Sequence, residues 1–473
     1  MVNSVQSNSG KNRILNPRED QESVPGKEGS EAGNALRDSA QGIVQRLRAA
    51  GHEALFVGGC VRDLLRGVAP GDYDIVTSAR PEEVQKLFPH TVPVGVRFGV
   101  VLVVDGRRPF EVATYRADDG YEDGRRPSSV RFATAEEDVR RRDFTINGLL
   151  MDPFTDEVID YVGGREDLSK GIIRTIGNPD ERFAEDHLRM LRAIRFTANL
   201  DFVIDPATFA AVRRYAGLIC QISVERIRDE LTRTITRTGA RQGLELLNAS
   251  GLLAEILPEI NALQGVEQPR QFHPEGDVWR HILRMLDHLP PAAGGEADPC
   301  LAWAVLLHDI GKAQTRSVDA AGIHFYGHVR KGEEMAGVIL QRLKFSNAET
   351  ETVIALVHGH MMFMHVRDMR PNRLKRFLRQ PKFDLHLELH RLDCLGSHGM
   401  LDNYNFCRES LAVLSDEQLH PQRLLTGDDL IALGFVPGPI FKRILDAVED
   451  AQLNGEIRTK AEAERLIHDM TVL

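Results

Sequence analysis

The spacing of hydrophobic and polar positions changes once along the chain, near residue 160. From Leu36, the apolar residues Ile43, Val44 and Leu47 fall on one helical stripe, and the short apolar run Ala54–Val57 that follows is strand-like. Further apolar runs at 72–76, 98–104 and 110–115 are separated by Gly, Pro and polar residues. That alternation predicts an α/β sheet domain ending near residue 150 to 160. The stretch 116–131 is polar and charged, holds Gly and Pro, and reads as a mobile loop. Beyond residue 160 strand signals almost vanish. Apolar residues at helical spacing over 181–200, 224–236, 278–289, 301–310, 331–343 and 349–358 predict a mainly helical remainder. Residues 290–299, with Pro-Pro and Gly-Gly, read as a loop inside one helical domain.

Composition bounds the answer without naming it. The chain has 473 residues, too many for one core, since domains run to roughly 100–200 residues each. The expected division is a disordered tail at 1–35, rich in Ser, Asn, Gly and Glu, and a sheet domain at 36–160. A helical neck and body at 161–265, a second helical domain at 266–415 and a helical end at 416–473 complete it. No apolar run reaches the roughly 18 residues of a membrane span, and the N-terminus has no apolar signal core. Five cysteines, with no Cys-x-x-Cys, exclude a disulfide frame and fit a reducing cytoplasm. Lys+Arg 59 against Asp+Glu 69 gives a net charge of −10, so a nucleic-acid partner must be held by local basic patches.

The densest chemistry lies after the first strand. In Leu55-Phe-Val-Gly58-Gly59-Cys-Val-Arg62-Asp63 two glycines end an apolar run and open a helix. Backbone N–H groups can then approach a phosphate with no Cβ in the way. In Gly71-Asp72-Tyr-Asp74 the two carboxylates alternate on a strand and so share one face. Such a pair suits Mg²⁺ bridging a nucleoside triphosphate and an attacking hydroxyl. Phe110-Glu111-Val112 can bring a third carboxylate alongside. Each motif alone is a common solvated turn; their order along the chain is not common.

On these motifs the chain resembles the tRNA nucleotidyltransferase/poly(A) polymerase family of bacterial type, within the polymerase-beta-like nucleotidyltransferase superfamily. The likeness runs from about Leu36 to beyond residue 410. It implies Asp72 and Asp74 as Mg²⁺ ligands, Glu111 as a third catalytic carboxylate, and Gly58, Gly59 and Arg62 bordering the triphosphate. It further implies that Arg142, Asp143 and Asn147, in Arg141-Arg-Asp-Phe-Thr-Ile-Asn147, contact the incoming nucleotide's phosphates and ribose. A guanidinium fork pairs with phosphate oxygens, and Asp143 can accept from a ribose hydroxyl. Composition alone would make that basic run a solvated helix end.

Residues 179–196 carry charges that could line one helix, with Asp186 and Arg189 three apart and therefore neighbours. On spacing this is a surface ion pair. The resemblance gives the Glu-Asp-x-x-Arg motif another role, selecting CTP and ATP without a template, with Arg192 also at the nucleotide. Cytosine and adenine both present an amine beside an unprotonated ring nitrogen, which a carboxylate and a guanidinium can read. Uracil and guanine would meet the same pair acceptor to acceptor, at a cost of about 1–3 kcal/mol per unpaired group. Asp160 and Gly164 match the family's hinge, and Glu225 to Glu230 a later motif read as structural.

His281, His308-Asp309, His328, His358 and Asp393 fall on or beside predicted helices. Imidazoles and carboxylates together bind divalent metals well, and six could hold two ions. Leu306-Leu-His308-Asp309-Ile-Gly-Lys312 resembles the HD phosphohydrolase superfamily. That likeness implies a divalent transition metal on these six residues, with His324, His360 and His365 close by in sequence. The whole reads as an α/β polymerase-beta-like nucleotidyltransferase head followed by an all-α neck, body and HD domain. The implied activity is addition or repair of the 3′-terminal CCA of tRNA from CTP and ATP, with a second, phosphohydrolase centre. Poly(A) polymerase and A-adding activity are the near rivals, and an HD-type hydrolase with an inert head the distant one. The complete head motifs argue against inertness, and the mixed charge of 416–473 argues against the basic extension of a poly(A) polymerase.

Overall fold

The computed structural model describes residues 27–95, 99–121, 127–290 and 295–471. Residues 1–26 of the expected tail, the start of the run expected at 98 and the middle of the 290–299 loop lie outside them. Contacts divide the chain into two units, residues 1–115 with 150–159, and residues 116–149 with 160–473. Along the chain come α1 (Lys27–Ala49), β1 (Ala54–Val57), α2 (Gly59–Leu65), β2 (Asp74–Thr77), α3 (Pro81–Leu87), β3 (Thr91–Gly95), β4 (Val100–Asp105) and β5 (Arg108–Thr114). Then follow β6 (Arg116–Tyr121), β7 (Pro127–Phe132), α4 (Ala135–Arg140), β8 (Leu149–Met151) and β9 (Val158–Asp160).

The first unit is built on a seven-stranded sheet of order β3-β4-β5-β2-β1-β8-β9. β2 runs parallel to β5, while β1 pairs antiparallel with β2 and β8, and β4 antiparallel with β3 and β5. The stripe Ala40, Ile43, Val44 and Leu47 is buried, so α1 covers the sheet with the face its periodicity predicts. The helix begins at Lys27, nine residues before the expected Leu36. Its first turns hold Lys, Glu and Ala, which favour helix by propensity, but no apolar stripe, so a search for periodicity starts too late.

The second unit departs further from the pattern. The expected loop at 116–131 is instead an antiparallel hairpin, β6 with β7, in the register Arg116↔Phe132. It forms a two-stranded sheet of its own, and its sequence shows no apolar alternation. Residues 116–149, which the pattern assigns to the head, pack with the helices. Phe144 bridges Thr175, and Thr145 Oγ1 donates to the buried carboxylate of Asp167 at 2.7 Å.

Helices α5 (Gly164–Lys170), α6 (Pro179–Glu185), α7 (Leu188–Leu200), α8 (Pro206–Tyr215) and α9 (Val224–Ile235) form the neck and body. One cluster of buried apolar side chains runs from Phe144 to Leu392, crossing the boundary expected at residue 265. Trp303, fully buried, donates its indole N–H to Thr232 Oγ1 at 2.9 Å and so ties helix Pro299–Leu307 to α9. Smaller cores lie between Phe363 and Leu419 and between Leu425 and Ile467. Among the described residues no helix is long and apolar enough to cross a membrane.

Gly311 is required by close approach rather than by φ. A Cβ there would lie 2.2 Å from the His328 carbonyl oxygen and 2.7 Å from the Gly332 nitrogen, both backbone atoms. Gly311→Ala should therefore cost about 1–3 kcal/mol or more, as overpacking does, and lower the midpoint of thermal and denaturant unfolding. Unfolding unchanged to within a few tenths of a kcal/mol would contradict the packing.

Candidate functional sites

In the sheet unit Gly58 takes φ 74 and ψ −124, a left-handed backbone that a side chain would strain. The turn brings α2 directly off β1. Asp72 is exposed, Tyr73 buried and Asp74 partly exposed, so the aspartates flank an inward-pointing ring that packs on Phe56 at 5.0 Å. Asp72 lies two residues before β2 rather than on it, but the alternation persists. Cys60 lies beneath: burial, then the charges of Asp74 and Asp72, push its thiol up to about 12. Ile75 pairs with Val112 across the parallel strands, so the preceding residues, Asp74 and Glu111, share the opposite face, where Glu111 is exposed. Arg62 forms a two-pronged pair with Asp63 (2.9 and 3.1 Å).

In the helical unit the Arg-Arg-Asp segment sits against α7. Both Asp143 oxygens are engaged: Oδ1 accepts from Phe144 N (2.8 Å) and Asn147 Nδ2 (3.1 Å), and Oδ2 from Arg192 Nε (2.8 Å) and Nη2 (2.6 Å). A carboxylate has about four lone-pair positions, and all are filled. Asp143 is thus the anchor of Asn147 and Arg192, where the pattern predicts an acceptor for ribose. Burial would raise its pKa, but Arg192 outweighs it and holds the group at about 2. Arg142 turns to Asp138 Oδ2 at 3.0 Å.

The 179–196 segment is two helices rather than one, because Asp186 is extended (φ −145, ψ 103) and separates α6 from α7. Asp186 and Arg189 are joined by a backbone hydrogen bond of 3.0 Å, but their side chains have other partners. Asp186 Oδ1 accepts from Leu188 N (3.1 Å) and Oδ2 from Arg226 Nη2 (3.0 Å). Arg189 donates to Glu185 (2.6 Å), to the Arg182 carbonyl (3.1 Å) and to the Arg141 carbonyl (2.8 Å). Arg226, on α9, is a residue the sequence reading treated as structural; only its place in a charged helical motif marked it. Glu230 on the same helix accepts from Arg195 Nε at 2.6 Å.

The third cluster assembles from five segments of the helical unit. Nδ1 of His308, His328 and His360 lies 3.0, 2.8 and 2.6 Å from the carbonyl oxygens of Val305, Phe325 and Val357. A carbonyl only accepts, so each Nδ1 carries the proton and each Nε2 keeps its lone pair. Those three Nε2 atoms are buried without a hydrogen-bond partner, and converge on Asp309 at 3.2, 3.8 and 3.8 Å. His281 Nε2 lies 3.1 Å from Asp393 Oδ1. Ligand atoms of His281, His308 and Asp309 fall within 4.8 Å of one another, as do those of Asp309, His328 and His360. Orphaned lone pairs beside carboxylates are what a pair of divalent cations sharing Asp309 would fill. The residues fit the group.

His358 does not belong to this set. It is exposed and its Nδ1 faces Glu333 Oε1 at 2.8 Å. On a helix, residues two apart point about 200° away from each other, so either His358 or His360 faces inward, and it is His360. Burial pulls His360 down to about 4 and also lowers His328. Burial works against charge on His281 too, but Asp393 and Glu275 outweigh it and raise that imidazole to about 9. Lys312, buried, reaches Asp309 Oδ2 (2.7 Å) and Gln268 Oε1 (2.6 Å). Glu275, buried, lies 3.2 Å from His281 Nδ1 and 2.8 Å from His273 Nδ1. Neither Glu275 nor Gln268 carries a signal in the sequence.

Three family models match the chain: "Poly A polymerase head domain" over residues 54–174, "Probable RNA and SrmB- binding site of polymerase A" over 201–264, and "HD domain" over 277–380. The CCA-adding enzyme of Bacillus cytotoxicus is 33% identical over 437 residues, covering 90% of this chain and 96% of that one. The CCA-adding enzyme of Geobacillus stearothermophilus is 36% identical over 427 residues, covering 89% and 94%. The chain belongs to the CCA-adding enzyme family. A crystal structure of the Bacillus stearothermophilus CCA-adding enzyme in complex with CTP superimposes at a TM-score of 0.70 and 30% identity, over 92% of this chain and 98% of that one. The HD match stops at residue 380, and the fold brings Asp393, expected from the sequence, to His281 beyond it.

One test follows from the partner of His281. A carboxylate on the far nitrogen of a ligating imidazole fixes its tautomer and raises its basicity. Glu275→Gln should therefore weaken divalent-metal binding about 10- to 100-fold, measured by equilibrium metal content against a chelator series. Affinity unchanged in a folded variant would reduce Glu275 to packing.

Proposed function

We propose that the chain adds or repairs the 3′-terminal CCA of tRNA, drawing on CTP and ATP, and that its HD cluster is a separate metal-dependent phosphohydrolase. The observation that supports it best is continuity. The similarity to CCA-adding enzymes spans 90% of the chain, so one protein carries the paired aspartates, the Asp186–Arg189 segment and the His-Asp cluster in that order. In the transfer step the terminal hydroxyl oxygen of the RNA bonds to the α-phosphorus of the incoming nucleotide and releases its proton to water. The bond from that phosphorus to the next bridging oxygen breaks, and pyrophosphate leaves with its electron pair. Mg²⁺ held by Asp72 and Asp74, with Glu111 as neighbour, would supply Lewis-acid polarisation of the phosphoryl oxygens. In the sheet unit Gly58 and Gly59 would leave room for a triphosphate.

Asp186 and Arg189 read the base in this proposal, each held by partners of its own. Arg226 fixes the direction of the carboxylate and Glu185 that of the guanidinium, so the pair is pre-arranged before a nucleotide arrives. Preformed donors and acceptors discriminate because a mismatched base leaves them unpaired.

Transfer is tested by supplying tRNA ending before CCA, CA or A with each labelled nucleotide separately. Incorporation of C, C and A in turn is expected, and continued A addition would favour a poly(A) polymerase. Asp72→Ala and Asp74→Ala should lower incorporation at least about 100-fold, since the metal is worth several kcal/mol in the transition state, without loss of fold. Asp186→Ala or Arg189→Ala should relax the preference for CTP and ATP over UTP and GTP by about 5- to 150-fold, and Arg226→Ala should move it the same way by less. A lower rate with unchanged preference would sink the base-reading role.

The orphaned Nε2 atoms favour the second activity. Its metals would supply an activated water near neutral pH; the substrate class is a phosphoester, with 2′,3′-cyclic phosphate ends of RNA as the example. Two divalent cations against Asp309 and Asp393 leave net positive charge, reinforced by Lys312, which suits an anionic ester. Hydrolysis should require a transition metal rather than Mg²⁺ alone. His308→Ala with Asp309→Ala should abolish it and leave nucleotide addition within about twofold, and Asp72→Ala should do the reverse. Loss of both activities in either variant would show the centres to be coupled.

A further inference from the structure

The His-Asp cluster forms the floor of a cavity of about 520 Å³, within the roughly 300–1,000 Å³ of small-molecule sites. A phosphoryl group on the cluster would occupy only its deep end. The mouth is of a different character. Phe272, Tyr326 and Met364 line it and are 57%, 76% and 59% exposed, three large apolar side chains held at one opening. Tyr326 is a fixed plate. Its ring stacks on His324 at 5.1 Å and 10°, and His324 Nε2 is pinned by Asp319 Oδ1 at 3.0 Å across the hairpin Ser317–Asp319/Gly322–His324. A rigid aromatic plate of this kind loses little entropy when a second ring lies on it.

A second observation comes from the wall. Gln268 is 2% exposed and lines the same cavity. Lys312 has only donors, so the Gln268 atom it reaches at 2.6 Å must be the oxygen. The amide nitrogen is left buried without a partner. It is a donor waiting for an acceptor oxygen, and a phosphoryl group or ribose carries such oxygens.

We infer that this mouth is a nucleobase platform, so that the HD centre takes a nucleoside phosphoester: phosphate on the cluster, an ester or ribose oxygen on Gln268, and the base stacked on Tyr326 beside Phe272. The inference rests on the phosphohydrolase reading of the cluster and adds the side chains that would hold the base and the ester, Tyr326, Phe272 and Gln268. Stacking on an aromatic side chain tolerates any base, since every base has a π face. The platform therefore selects for a base without selecting which one. The same chemistry is offered by a free mononucleotide and by the end of an RNA strand.

The test uses the full chain loaded with transition metal and three probes: adenosine 3′-monophosphate, a short RNA ending in a 3′-phosphate, and glycerol 2-phosphate, which has no ring. In the parent chain KM for the adenosine ester should be at least about 10-fold below that for glycerol 2-phosphate. Tyr326→Ala should raise KM for the adenosine ester about 10-fold, with kcat, metal content and glycerol 2-phosphate hydrolysis within about twofold, and Tyr326→Phe should restore the parent value. The same loss on the RNA probe, larger or smaller than on the mononucleotide, keeps the platform and identifies its source of nucleotide. Equal losses on glycerol 2-phosphate, or no preference in the parent, would overturn it. Should the loaded chain hydrolyse none of the three, the phosphohydrolase reading falls. Equilibrium binding of adenosine 3′-monophosphate then decides the platform alone: a 10-fold weakening by Tyr326→Ala keeps it, and unchanged or absent binding ends it.

Discussion

The ion pair between Asp143 and Arg192 joins residues 49 positions apart and fixes where residues 141–147 belong. Two charges taken out of water are costly, and the loss returns only through close geometry and saturated hydrogen bonding. Asp143 meets that condition, with four contacts on two oxygens. Removing either partner would strand the other. The pair therefore holds residues 141–147 on the helical unit, although strands earlier and later in sequence belong to the sheet unit. From it the network extends, since Arg192 is 3.8 Å from Glu230, which also binds Arg195. Segment, α7 and α9 are one electrostatic body.

Asp186 and Arg189 follow from that body. Arg189 donates to the carbonyl of Arg141, two residues before Asp143, and Asp186 is held from α9. Their positions depend on the same three pieces that the buried network clamps together. Side chains locked by neighbours lose less entropy on binding than side chains free to rotate. The base-reading proposed for Asp186 and Arg189 needs such fixed groups, and Arg226 and Glu185 hold them in place.

How much of this the sequence discloses depends on how local each relation is. The Gly58 turn, the Asp72–Asp74 alternation and the Glu111 strand are readable because each is set by residues within one or two elements. So is the His308-Asp309 pair. The Asp186–Arg226 contact spans 40 residues, and nothing in either segment announces the other. The i,i+3 spacing of Asp186 and Arg189 even misleads, because it assumes a continuous helix where Asp186 breaks one. His358 and His360 differ by the phase of a single helix end, which composition does not fix. The hairpin at 116–132 and the first turns of α1 escape notice for one shared reason. The sequence of neither carries the alternation or the 3.6-residue apolar stripe that would announce it.

The two candidate metal centres use opposite means to the same end. Asp72 and Glu111 are exposed, so water can solvate them whenever no cation is near, and their charge carries little penalty. The His-Asp cluster is buried, where unpartnered lone pairs are costly, and the rings would relieve that cost if they could swing away to other partners. Backbone carbonyls prevent it for His308, His328 and His360, and a carboxylate does so for His281. A carbonyl fixes the tautomer but adds no charge, whereas Glu275 does both and makes His281 the more basic ligand. A cation on His281, His308 and Asp309 would therefore meet more basic donors than one on Asp309, His328 and His360. Both groups contain Asp309, so two cations would compete for the charge of that one carboxylate.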